Sequence, residues 1–173
     1  ILIKMSVGID EVGRGCLYGP VFAAAVYVKN PIPDPIPPIP VSTWDSKKIT
    51  AKNRKILFDY IYTYADVVAI ASVDASTIDS QNILKSTMMA MHQALDQIVL
   101  PIEHLYVDGN YFEGYAQNGE NINHTCIPSG DSQNHLIGMA SVIAKVARDE
   151  FISEECAKFP ELLNYGIDKN KGY

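Results

Sequence analysis

Apolar positions along the chain recur in two periods, and the switch from one to the other lays out the elements. Residues 1–9 alternate and then run apolar to Ile9, as a strand entering a core does. The run stops at Asp10-Glu11-Val12-Gly13-Arg14-Gly15, too polar and too rich in glycine to extend a sheet. Val21 to Val28, dense in alanine and valine, predicts a second strand, and the short turn before it makes the pair an antiparallel hairpin. Val67 to Val73 predicts a third strand. Leu105-Tyr106-Val107 predicts a fourth, delivering Asp108-Gly109-Asn110, and Thr125-Cys126-Ile127 a fifth.

Between these runs the spacing becomes helical. Thr50 ahead of Ala51-Lys52-Asn53-Arg54 reads as an N-cap, followed by Ile56, Leu57, Tyr60, Ile61 and Tyr64. Ile83, Leu84, Thr87, Met88, Met91, Leu95 and Ile98 share one helical face that ends before Pro101, with the methionines as core filler. A further helix runs from about His135 to Cys156 and buries Ile137, Ala140, Val142, Ile143, Val146 and Phe151. The pattern predicts an α/β sandwich around a mixed five-stranded sheet flanked by helices, its later strands parallel because helical crossovers separate them.

Six of the ten prolines fall in residues 31–40, which can neither pair in a central strand nor form a helix. That stretch reads as an extended surface loop; a docking site for a proline-binding partner is the alternative. The 173 residues, 47% hydrophobic and 20% charged, suit one domain with a proper core and exclude intrinsic disorder. No apolar run reaches the ~18 residues needed to span a bilayer. The start lacks the basic, apolar and small-residue order of a signal peptide. A cytoplasmic protein without a membrane partner is expected. Cys16, Cys126 and Cys156 are odd in number, show no zinc spacing and suit a reducing compartment. The net charge of −6 argues against a broad basic surface gripping nucleic acid indiscriminately. It is compatible with an acidic site that holds cations to bridge to phosphate.

Such a site has candidates. Asp10 and Glu11 end one apolar strand, Asp108 ends another, and Asp131 follows Gly130 just before a helix. Open α/β sheets place their sites at strand ends of this kind. Four converging carboxylates would repel one another unless a cation joined them; oxygen-only ligands suit Mg²⁺ or Mn²⁺, and no Cys/His cluster competes. Neighbours in a regular strand face opposite sides, so Asp10 and Glu11 share a site only if the strand ends or kinks there, which Gly13 and Gly15 permit. Taken singly, each carboxylate reads as a solvated turn residue or helix cap.

Longer stretches change the weighing. Val7-Gly8-Ile9-Asp10-Glu11-Val12-Gly13-Arg14-Gly15, continuing through Gly19-Pro20 into Ala23-Ala24-Ala25-Val26, resembles the opening motif of ribonuclease HII, the type 2 ribonuclease H family. Asp45-Ser46-Lys47-Lys48, the helix around Asn82 to Met91, Asp108-Gly109-Asn110, Gly130-Asp131 with Ala140 to Asp149, and Lys171-Gly172-Tyr173 resemble that family's later motifs, in order. The resemblance covers nearly the whole chain. It implies a ribonuclease H-like fold over residues 1–173 as a single catalytic domain, apparently without the family's C-terminal helical segment, and with residues 31–40 as an insertion.

It further implies a metal-dependent endonuclease acting on the RNA strand of RNA–DNA hybrids and 5′ of single ribonucleotides in duplex DNA, leaving 3′-hydroxyl and 5′-phosphate ends. A role in ribonucleotide removal, a monomeric state and a two-metal mechanism with Mg²⁺ or Mn²⁺ go with it. The family's metal ligands fall on Asp10, Glu11, Asp108 and Asp131. Its reader of the ribose 2′-hydroxyl falls on Gly13, Arg14 and Gly15, where missing Cβ atoms let the backbone approach the sugar. Lys47 falls among its substrate-binding residues, and Tyr173 on the tyrosine that packs against the adjoining deoxyribose. Asp149 reads as structural. The intact Gly13-Arg14-Gly15 and Tyr173 speak against the related type that prefers longer hybrids, and the four carboxylates against an inactive hybrid-binding module. Three positions depart from the pattern. Cys16 stands where proline is usual, Ser129 where lysine is usual, and Gly138 interrupts a helix at a cost of about 0.5–1 kcal/mol relative to alanine.

Overall fold

A computed structural model describes residues 5–30 and 44–170. The proline-rich stretch 31–40 and Lys171-Gly172-Tyr173 lie outside the described residues. Strands β1 (Met5–Val12) and β2 (Val21–Tyr27) form the expected antiparallel hairpin, and β3 (Val67–Val73) pairs antiparallel with β2. Strand β4 (Ile102–Asp108) joins the free side of β1 in parallel. Strands β5 (Tyr115–Gln117) and β6 (Glu120–Ile127) follow, with β6 parallel to β4, giving the order β3-β2-β1-β4-β6-β5. The mixed five-stranded sheet is therefore present, and β5 extends it at one edge, antiparallel to β6. Those three residues read as polar loop because alternation over so short a run carries no signal.

Helix α1 (Ala51–Tyr64) starts where Thr50 predicts, with Thr50 Oγ1 accepting from the Asn53 amide at 3.3 Å. The next helical region differs from the single stretch expected. A seven-residue helix, α2 (Ala75–Gln81), precedes α3 (Ile83–Leu95). The break is Asn82, at φ +76°, whose side-chain oxygen accepts from the Lys85 amide at 3.1 Å and caps α3. Ile98 is buried beyond the helix end through a turn in which its amide donates to Leu95 at 2.9 Å. Helix α4 (His135–Lys158) is capped by Asn134, which accepts from the Leu136 and Ile137 amides.

Strand alternation assigns the two faces of the sheet. Met5, Val7 and Ile9 of β1 pack with the α3 side, together with Met88, Met91 and Leu95. On the other face Ala24 and Val26 of β2 meet Leu57 and Ile61 of α1 and Ile143 of α4. Burying a side chain such as Ile143 contributes about 1.5–3 kcal/mol. Gly8, which alternates with Val7 and Ile9, has the α4 side to itself. A Cβ there would lie 2.2 Å from the Leu136 backbone carbon, so α4 starts in direct contact with the β1 backbone.

Gly138 has a similar reason to exist. A Cβ at 138 would meet Trp44 Cβ at 2.4 Å and the Asp131 carbonyl at 2.9 Å. Helix propensity alone makes Gly138→Ala stabilising, whereas overpacking of a close contact costs about 1–3 kcal/mol and reverses the sign. Urea denaturation should find Gly138→Ala less stable than the parent; a gain in stability would show that Trp44 yields without cost.

Candidate active site

The pairing of β1 differs on its two sides. Against β2 it continues to Val12, opposite Phe22, whereas against β4 it stops at Ile9, opposite Val107. The strand thus does not end at Asp10, contrary to the condition set by alternation. It loses only its β4 neighbour, and the next residues on the two parallel strands, Asp10 and Asp108, flank the opening. One carboxylate oxygen from each of Asp10, Glu11 and Asp108 lies within 4.8 Å of the other two.

Each carboxylate is held. Asp10 is buried and accepts from the Glu11 amide at 2.7 Å, and the Ser141 hydroxyl, 2.8 Å from Ser46 Oγ, favours its charged form. Asp108 accepts from the Gly130 amide at 2.6 Å, tying the end of β4 to the turn after β6. Glu11 lies 3.5 Å from the Arg14 guanidinium. Burial, then the charges of Glu11 and Asp108, push the Asp10 carboxyl well above the usual range. Burial also raises Glu11, with Arg14 opposing and Asp108 adding to the rise.

Asp131 stands apart from this group of three. It is buried in the single turn Gly130–Ser132 (a 3₁₀ helix), where burial and the charges of Asp45 and Asp108 raise its pKa while Lys47 opposes. Gly13, Arg14, Gly15 and Lys47 line the cleft of about 140 Å³ around Asp10, Glu11 and Asp108. Tyr173 falls outside the described residues. No histidine lines the cleft among the described residues; His124 packs edge-on against Phe112, with ring centroids 5.2 Å apart.

Sequence reading did not single out Ser46, Ser141, Lys145 and Arg148. Three of them were findable. Ser141, Lys145 and Arg148 recur at intervals of four and three, a polar stripe along a helix that is otherwise buried there. Lys145 lines the cleft and pairs with Asp149 at 2.6 Å, and Asp149 lies 3.6 Å from buried Arg54. Arg54 in turn donates to the Ser46 and Ile49 carbonyls, anchoring the segment that carries Lys47. The structural reading of Asp149 agrees with this network.

Gly13 needs its missing Cβ for an internal reason as well. Its φ is +101°, and a Cβ would lie 2.8 Å from Arg148 Nε and 3.0 Å from the Pro20 carbonyl. An oxygen-only set of three close carboxylates, two of them with raised pKa values, fits a hard divalent cation.

A family model described as Ribonuclease HII matches residues 7–173. The chain is 41% identical to the ribonuclease HII of Christiangramia forsetii, over 96% of this chain and 77% of that one. It is 41% identical to the ribonuclease HII of Thermosynechococcus vestitus, over 96% of this chain and 72% of that one. Among solved structures, the ribonuclease H2 of Pyrococcus horikoshii superposes with a TM-score of 0.73 at 24% identity, covering 90% of this chain and 77% of that one. The Bst ribonuclease HIII, solved in complex with Mn²⁺, gives 0.73 at 21% identity, covering 90% and 55%. These two likenesses speak to the fold.

The raised carboxylates have a consequence for stability. Asp10 and Glu11 hold a proton more tightly in the folded chain than in the unfolded one. Metal-free stability therefore falls as pH rises from the ordinary carboxylate range through their raised values. Asp10→Asn should remove part of that loss, and each kcal/mol regained is worth roughly 2–4 °C in a domain of this size. Thermal unfolding in EDTA at several pH values checks this: the variant should melt above the parent at neutral pH and match it in acid. A variant that melts lower at neutral pH would mean the carboxylates do not repel.

Proposed function

The chain belongs to the ribonuclease HII family, and on that premise we propose that it is a divalent-ion-dependent endonuclease that cuts the RNA strand of RNA–DNA hybrids and cuts 5′ of single ribonucleotides in duplex DNA. The products carry 3′-hydroxyl and 5′-phosphate ends. The observation that carries the reading is the meeting of Asp10, Glu11 and Asp108 oxygens within 4.8 Å beside the last paired residues of two parallel strands.

Asp10, Glu11 and Asp108, with Asp131 behind Asp108, would hold Mg²⁺ or Mn²⁺. Two such ions, when bound, stabilise charge on the phosphate and make an attacking water available near neutral pH. The chain's own groups do the rest. The Glu11 amide fixes the orientation of Asp10, with the Ser141 hydroxyl favouring its charged form, and the Gly130 amide fixes that of Asp108. Arg14 is half exposed at the cleft, drawn there by Glu11, and offers a guanidinium to the incoming phosphate. Exposed Lys47 offers a second cation from the opposite segment.

The backbone of Gly13, Arg14 and Gly15 reads the ribose 2′-hydroxyl, the group that separates RNA from DNA. Tyr173 packs its ring on the deoxyribose that follows the ribonucleotide, where a 2′-hydroxyl would crowd it. The enzyme acts as a monomer in the cytoplasm, in the removal of ribonucleotides from DNA. No described helix is long and apolar enough to cross a membrane.

Cleavage of duplex DNA carrying one ribonucleotide, with Mg²⁺, Mn²⁺ or EDTA, tests the reading, with the ends mapped by ligation and phosphatase treatment. The parent should cut only with an ion present. Asp108→Asn keeps the side-chain shape and should lower turnover about a hundredfold or more while circular dichroism stays unchanged, since a lost ligand removes several kcal/mol of charge stabilisation. Near-parental turnover by Asp108→Asn would put the site elsewhere.

A further inference from the structure

The segment joining β1 to β2 lies along α4 and is fastened unevenly. Its second half has several contacts. The Tyr18 hydroxyl donates to Glu155 at 3.1 Å, the Leu17 amide donates to the Asn170 side chain at 3.3 Å, and Gly19 packs on Phe151 and Ile152. Its first half, Gly13 to Cys16, has Arg148 beneath it. That side chain is 2% exposed, and its Nη2 donates to the Tyr18 carbonyl at 2.9 Å. Its Nε faces Gly13 so closely that a Cβ there would be 2.8 Å away.

The same Nε–H has no acceptor among the described residues. A buried donor without an acceptor calls for an explanation beyond packing. Its place against the turn provides one: the planar guanidinium is the floor on which the turn rests. Within the turn itself the Cys16 amide reaches the Gly13 carbonyl only at 3.4 Å. A proline at position 16 would fix φ there; Cys16 leaves it free, so conformational control passes to the floor.

We propose that Arg148 is a positioning residue for ribonucleotide recognition, holding the Gly13–Gly15 backbone in the shape that admits the ribose and its 2′-hydroxyl. The proposal rests on the reading of Gly13–Gly15 as the ribose reader. Arg148 touches no reacting atom in it and acts through the turn.

Arg148→Met and Arg148→Lys test it, with kcat and KM measured separately on duplex DNA bearing one ribonucleotide and on a continuous RNA–DNA hybrid. Mn²⁺ affinity is measured by calorimetry, and folding by thermal unfolding. Lysine can still reach the Tyr18 carbonyl but leaves nothing planar beneath Gly13, so it decides the matter if the methionine variant does not fold. Misplacing a reading group costs about tenfold to a hundredfold, and this loss in kcat/KM should fall on both substrates, because each presents a ribose 2′-hydroxyl at the cut. Mn²⁺ affinity should hold, because Arg148 acts through the turn and not through the carboxylates. A loss of Mn²⁺ affinity in step with activity, or no loss on either substrate, would overturn the role of Arg148. A parent that cuts neither substrate with Mg²⁺ or Mn²⁺ would instead overturn the functional reading beneath it.

Discussion

Helix α4 can lie against the backbone of β1 because residue 8 has no side chain, and most of the site follows from that one contact. Two residues further along the same face of β1 is Asp10, and the helix seated beside it supplies the Ser141 hydroxyl that favours the charged carboxylate. One turn on comes Lys145, and after it Arg148 under the loop that leaves β1. The turn that precedes the helix brings Gly130 to Asp108 and buries Asp131 behind it. A helix held a few ångströms further from the sheet would present the same residues to nothing. The polar stripe on α4 gives up apolar burial that the helix would otherwise gain, and charge pairing and hydrogen bonds offset the loss only at this seating.

The carboxylates themselves work against the fold. Three acidic groups within 4.8 Å, one of them buried, are a source of strain that hydrophobic packing elsewhere must overcome. The chain answers with positive charge around the rim of the cluster rather than between its carboxylates. Arg14 approaches Glu11 from the solvent side, Lys47 offsets Asp131, and Lys145 is engaged with Asp149. Cations placed so leave the centre of the cluster available. This is the usual conflict between an active site and a stable one.

The sheet was legible from the sequence wherever a strand was long enough to show a period. Val67–Val73 and the hairpin stand out, while the three residues of β5 do not. The helices were legible by caps and spacing, but the turn at Asn82 was not, because an asparagine at positive φ looks from its neighbours like a helix interior. For the candidate site, Asp10, Glu11 and Asp108 were visible as acids at strand ends and Asp131 as an acid after Gly130 just before a helix; only the first three meet in one cluster among the described residues. How Asp10 and Glu11 could serve one cleft was not visible, since that depends on β4 ending its pairing with β1 three residues before β2 does. Nor was the reason for Gly138: a residue that lowers helix propensity is explained only by Trp44, far away in the chain.

The parallel pairing of β1 with β4 matches Ile9 to Val107, positions on the order of a hundred residues apart. The β1–β2–β3 meander can close through nearer neighbours, whereas this pairing waits on the slow closure of a long loop. Asp10 and Asp108 therefore become neighbours only once the topology is complete. Recovery of cleavage during refolding would be a clock for that long-range closure, running behind any optical signal that follows the helices.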